Sequence, residues 1–72
     1  MDYVVLCSTT DKCRPTLEQF LKENNIQDSA VVWNMIPYRV TLNETEFAWF
    51  VPKCLFERWS RGREYQIVHE VL

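Results

Sequence analysis

At 72 residues the chain has room for one hydrophobic core, so we expect residues 1–72 to form a single domain. The net charge of −2 is too small for a polyanionic mimic, and it argues against a protein whose whole surface binds nucleic acid. Hydrophobic residues make up 47%, with three Trp, four Phe and three Tyr against a single Gly, which excludes a disordered chain.

The cysteines and the apolar runs indicate a cellular compartment. Three cysteines cannot all pair within one chain. The apolar run at residues 3–7 is too short for a signal segment, and no stretch approaches the roughly 20 apolar residues of a membrane span. We therefore expect free thiols, no membrane association and a cytoplasmic location.

The first half of the chain predicts a strand, a helix and a second strand. Residues 3–7 are β-branched and apolar, as in a strand. Leu17, Phe20 and Leu21 then share one face of a helix that Pro15 begins and that ends in a left-handed residue at 24–25. Residues 30–36 and 38–42 have strand character on either side of a proline, so they form one bent strand or two.

The second half predicts a hairpin, a helix and a last strand. Residues 43–46 form a turn, and the five apolar residues 47–51 return as a strand. Asn43 and Glu46 also match a capping box, which would instead begin a helix at residue 44 that kinks at Pro52. We favour the hairpin because 47–51 has no helical face. A helix over 52–60 that Gly62 ends and a strand over 65–71 complete the chain.

The predicted order is βαββαβ, the split βαβ arrangement of ferredoxin-like folds. We therefore expect a small α+β domain with a mainly antiparallel sheet and two short helices.

Residue spacing argues against metal binding and catalysis. Cys7, Cys13, Cys54 and His69 are metal-ligand types, but zinc sites usually bring their cysteines in closer pairs. Neighbouring strand residues point to opposite faces, so His69 and Glu70 cannot form a catalytic pair. We predict no cofactor, no metal and no enzymatic activity. Among the carboxylates, only Glu46, which precedes Phe47, has an apolar context that favours a raised pKa.

Basic residues gather near the end of the second helix. The cluster surrounds Trp59 and consists of Lys53, Arg58, Arg61 and Arg63. One interpretation is that these cations stabilise the negative end of the helix. The other is a binding surface, because arginine and tryptophan are enriched at binding hot spots.

The strands suggest a binding face. Residues 3–7 and 47–51 are apolar at every position, so both faces of the sheet require burial. Two short helices can cover only one face of the sheet. We therefore expect the other face to expose aromatic side chains, among them Trp33, Phe47 and Trp49, unless the chain between strands folds over them. We expect a protein-binding module that regulates or inhibits a larger partner, with a homodimer as the simplest case. The alternative is a small RNA- or DNA-binding domain that uses the arginine cluster and exposed aromatics.

Overall fold

The computed structural model describes residues 1–71 and shows a small α+β fold. Two helices pack on a mixed sheet of five strands in the order β2-β3-β4-β1-β5. Along the chain the elements are β1 (Asp2–Cys7), α1 (Thr10–Asn24), β2 (Val31–Val32), β3 (Tyr38–Thr41), β4 (Phe47–Pro52), α2 (Lys53–Ser60) and β5 (Gln66–Val71).

Both helices end where the sequence predicts, but the prediction that Pro15 begins the first helix is wrong, because α1 begins at Thr10 and contains Pro15. Asn25 adopts a left-handed conformation with φ of 54°, and its N–H donates to the carbonyl of Leu21 at the end of α1. Gly62 follows α2 with φ of 70°, a backbone conformation that favours glycine. These residues turn the chain back toward the sheet.

The segment on either side of Pro37 forms two strands. The predicted strand over 30–36 is correct only at Val31–Val32, because the chain then reverses and β3 pairs antiparallel with β2. Residues 33–37 form the reversal. Proline has no N–H to donate to a ladder, which fits its place in this turn.

The extra reversal changes the direction of every later strand. β4 pairs antiparallel with β3 and parallel with β1, and β5 also pairs parallel with β1. The sheet is therefore mixed: it keeps the antiparallel pairing that the sequence predicted, at β2–β3 and β3–β4, and it adds parallel pairs at β1. The ferredoxin-like arrangement is not confirmed.

The helices lie on opposite faces of the sheet. α1 buries Leu17 against Phe50 and Val40 on one face. α2 buries Trp59 against Val4, Leu6 and Val51 on the other. The expectation that both helices cover one face is wrong. In the strand order, α1 leads from β1 toward the β2 edge of the sheet, whereas α2 leads from β4 toward the β5 edge. Parallel crossovers of the same hand that run in opposite directions place their helices on opposite faces.

The β3–β4 hairpin confirms the strand prediction for residues 47–51 over the capping-box alternative. Asn43 accepts a hydrogen bond from the Thr45 N–H at 2.9 Å, and its amide donates to the Glu46 carboxylate at 2.6 Å. Hydrogen bonds from the Tyr3 hydroxyl and then from Asn43 lower the pKa of Glu46. The expectation of a raised pKa for Glu46 is wrong, because its carboxylate faces hydrogen-bond donors.

Candidate functional site

An aromatic cluster joins α2 to the sheet. The alternation of β4 directs Trp49 to the α2 side, where its ring centroid lies 5.4 Å from that of Trp59. Phe56, one turn earlier in α2, contacts Trp59 at 6.3 Å, and Tyr65 packs on both α2 rings at 5.4 and 5.8 Å. Rings at these separations attract one another beyond the area that they bury.

The guanidinium of Arg63 lies on this cluster. Its central carbon is 4.7 Å from the Trp59 ring centroid and 5.0 Å from that of Trp49. The turn after α2, in which the Arg63 N–H donates to the Ser60 carbonyl at 3.2 Å, returns the chain toward the rings. Stacking on tryptophan restricts the arginine side chain and leaves its N–H edge available for an acceptor.

A second arginine lies on the same face of the sheet. Arg39 in β3 is the register partner of Trp49, and its guanidinium stacks on the Phe47 ring at 5.2 Å. Together Arg39, Phe47, Trp49, Trp59 and Arg63 form the surface that we call the aromatic–arginine surface. It presents two stacked cations on a base of three rings.

A small groove opens at the β3 side of this surface. Its volume is about 100 Å³, and its walls are Val32, Met35, Pro37, Arg39 and Trp49. Met35 is 63% exposed. The Nε of Arg39 and the indole Nε1 of Trp49 are buried, and neither has a hydrogen-bond partner among the described residues. The groove is thus apolar, with two unpaired donors on residues of its wall.

The two stacked arginines are also without a carboxylate partner. Within residues 1–71, ion pairs join Arg14 to Glu18 and Arg61 to Glu57, and neither Arg39 nor Arg63 takes part in one. Asp2 pairs with Phe47 in the sheet register, but no ion pair links it to Arg39. The positive charge of the surface is therefore not neutralised by an ion pair within the described chain.

The structure divides the residues predicted to bind a partner. Phe47, Trp49, Trp59 and Arg63 meet on the aromatic–arginine surface. Arg58 and Arg61 instead line a shallow groove of about 270 Å³ beside Glu57, and Lys53 is exposed at the first residue of α2.

Trp33 lies on the α1 side of the sheet, against Tyr38 and beneath the Arg14 guanidinium. It is therefore separated from the aromatic–arginine surface by the sheet.

Sequence reasoning missed Arg39. The signal for it was the alternation of residues 38–41, in which Tyr38 and Val40 are buried against α1. The residue between them must therefore face the other side, the side that Trp49 faces.

The three cysteines are free thiols. Cys7 and Cys13 are buried, and Cys54 is exposed at the start of α2. A hydrogen bond between the two buried thiols lowers the pKa of Cys7 and raises that of Cys13. In the described residues, no three His, Cys, Asp or Glu side chains are grouped to hold a metal ion.

His69 lies apart from the aromatic–arginine surface. It borders a groove of about 390 Å³ between α1 and β5, with Val5, Phe20 and Phe50 also in its lining.

Comparison with protein families, with curated proteins and with solved structures finds no match to this chain. Neither helix of the described chain combines the length and the apolar character needed to cross a bilayer.

Proposed function

We propose that this chain is a small, non-catalytic protein-binding module that regulates or inhibits a larger partner through the aromatic–arginine surface. The observation that carries the proposal is the pair of stacked guanidiniums, on Arg39 and Arg63, that lack carboxylate partners in the described chain. Arginine and tryptophan are the residues most enriched at binding hot spots.

The stacking supports binding for an energetic reason. A free arginine side chain loses about 2 kcal/mol of rotamer entropy when a partner immobilises it. Arg63 already lies over two tryptophan rings, at 4.7 and 5.0 Å, so part of that entropy is lost before binding. The ring contacts also keep water from one side of the guanidinium, which strengthens hydrogen bonds at its edge.

The decisive experiment compares two double variants of equal charge change. Arg39→Glu with Arg63→Glu reverses the charge of the aromatic–arginine surface, whereas Arg58→Glu with Arg61→Glu makes the same change at the end of α2. Partners are captured from the source cell with each protein, identified by mass spectrometry and then measured as purified pairs.

We expect the first variant to lose the partner and the second to retain it. Circular dichroism must show that both variants fold, since a stacked arginine contributes about 0.5–2 kcal/mol. Loss of the partner only in the second variant would move the site to the end of α2. Equal binding by both variants and the unchanged chain would refute a role for either cluster.

A nucleic-acid-binding domain is the second candidate, because arginines and aromatics lie side by side on a sheet face, as in single-strand binders. One feature disfavours it: guanidiniums already cover ring faces of Phe47, Trp49 and Trp59, where bases would stack. Titration with random single-stranded RNA and DNA at rising salt separates the candidates, because nucleic-acid affinity falls steeply with salt.

A second copy of the chain is another candidate protein partner. β5 is an edge strand, with Ile67 43% and Val68 52% exposed. Its register against β1 shifts between Val4 and Val5, and irregularities of this kind discourage pairing between sheet edges. Sedimentation at micromolar concentration tests for a homodimer, and we favour a different protein as the partner.

A further inference from the structure

The groove beside Arg39 has the size of a side-chain pocket. Its volume of about 100 Å³ is well below the roughly 300–1,000 Å³ of small-molecule sites. Its walls include Val32, Met35 and Pro37, so an apolar side chain fits it by chemistry as well as by size. The exposed Met35 is a flexible wall that can adjust to the shape of the entering group.

The polar atoms of the groove wall are donors. Arg39 Nε and Trp49 Nε1 are buried without hydrogen-bond partners in the described part of the chain. The indole nitrogens of Trp33 and Trp59 are unpaired as well, but within residues 1–71 only Arg39 and Trp49 carry their unpaired donors on the wall of one groove. Native proteins pair the great majority of such groups, so this wall offers a place for an acceptor. Arginine and indole nitrogens only donate, so the group they can bind must accept hydrogen bonds.

The positive charge of the two arginines favours an anionic acceptor over a neutral one. A carboxylate matches the planar fork of a guanidinium, and hydrogen bonds between ionised groups are about twice as strong as neutral ones. Arg63 supplies a second unpaired cation on the same surface. A base could not use these cations in the same way, since its stacking positions are occupied by the guanidiniums themselves.

We propose that the partner presents an acidic segment, from which one apolar side chain enters the groove and a neighbouring carboxylate binds the guanidinium of Arg39. This inference rests on the proposed function and specifies the chemistry of the partner at the same site. Of the Arg39 guanidinium only Nε is buried without a partner in the described chain, and the exposed Met35 lines the same groove.

The test uses three synthetic peptides with the intact chain. One alternates glutamate and leucine, the second has glutamine in place of each glutamate, and the third contains glutamate without leucine. Binding is followed by NMR of the indole N–H signals of the three tryptophans, with Trp49 assigned from a Trp49→Phe sample.

We expect the glutamate–leucine peptide to shift the Trp49 signal and to bind about tenfold more tightly than either control peptide. Against the glutamine peptide this is the size expected from one hydrogen bond to a charged group, and against the leucine-free peptide it is the size expected from burying one apolar side chain. Arg39→Gln should remove the preference for glutamate over glutamine. Arg58→Gln, which makes the same change on an exposed arginine of α2, should leave it unchanged.

Equal affinity for the glutamate and glutamine peptides, or no binding of any peptide, would overturn the acidic-segment inference. Tighter binding of a single-stranded oligonucleotide than of the glutamate–leucine peptide would also overturn it. The capture experiment tests the proposed function separately. If a partner is lost with Arg39→Glu and Arg63→Glu but still binds when its own carboxylates are replaced by amides, the proposed function stands, and only the acidic-segment inference fails.

Discussion

Trp59 provides the sharpest test of how the second face of the sheet is covered. It is 8% exposed and is the buried residue of α2, packed on Val4, Leu6 and Val51. Trp59→Ala should therefore release α2 from the sheet. Arg58→Ala on the same helix is the matched control, because Arg58 is exposed.

The size of the expected loss follows from burial. Replacement of a buried tryptophan by alanine typically costs about 3–5 kcal/mol. The indole N–H of Trp59 is buried without a hydrogen-bond partner among residues 1–71. Removal of this unpaired donor offsets part of the lost stability, so we expect a cost in the lower half of that range. A chain of 72 residues has a total stability of about 4–11 kcal/mol, so the variant loses a large share of it.

The assay is urea denaturation followed by far-ultraviolet circular dichroism, which does not depend on tryptophan fluorescence. Arg58→Ala should change the free energy of unfolding by no more than about 0.5 kcal/mol. If Trp59→Ala does not fold, Trp59→Phe keeps a ring on the sheet and should fold with a smaller loss. A loss below about 1 kcal/mol for Trp59→Ala would refute the account of α2 as the cover of this face.

Three further predictions concern single side chains. Hydrogen bonds lower the folded-state pKa of Glu46, so its contribution to stability is present above the ordinary value of 4.5 and is lost as the pH falls below that value. The difference in urea midpoint between the native chain and Glu46→Gln should therefore shrink as the pH falls below 4.5. Asn25→Val should cost about 1–2 kcal/mol of unfolding free energy because a β-branched residue is strained at φ of 54°, whereas Asn25→Gly should not. In alkylation followed by intact mass, Cys54 should react in the folded protein, and the other two cysteines only after denaturation.

Each of these has a contrary outcome. A Glu46→Gln difference that stays constant from neutral to acid pH would show that the carboxylate gains nothing from its donors in the folded state. Equal stability of the valine and glycine variants at Asn25 would contradict the left-handed helix end. Rapid alkylation of all three thiols in the native protein would contradict the burial of two of them.

Local sequence signals predicted most of the individual elements, but they misplaced the start of α1 and missed the reversal at 33–37. The helical spacing of Leu17, Phe20 and Leu21 predicted α1, and an asparagine and a glycine marked the helix ends. The five apolar residues of 47–51 correctly outweighed the capping-box pattern of Asn43 and Glu46. These predictions succeed because capping, turns and periodicity depend on residues close together in the chain.

The sequence also predicted burial on both faces of the central strands β1 and β4, since residues 3–7 and 47–51 are apolar throughout. It did not determine what covers them. That depended on whether residues 30–42 form one strand or two, because one added reversal turns β4 and β5 parallel to β1 and places α2 opposite α1. Strand direction and crossover side are properties of the assembled sheet, not of any local segment.

The candidate site divides in the same way. The sequence identified Trp49, Trp59 and Arg63 as binding types. It placed Trp49 on a sheet face with Trp33, and it grouped Trp59 and Arg63 with Arg58 and Arg61 because these residues are close along the chain. Only the tertiary structure brings Arg39 beside Trp49 and separates Arg58 from the rings, since pairing between β3 and β4 and the docking of α2 set those distances. The sequence shows which residue types are present and which are close along the chain. Strand register and helix packing decide which of their side chains share a surface.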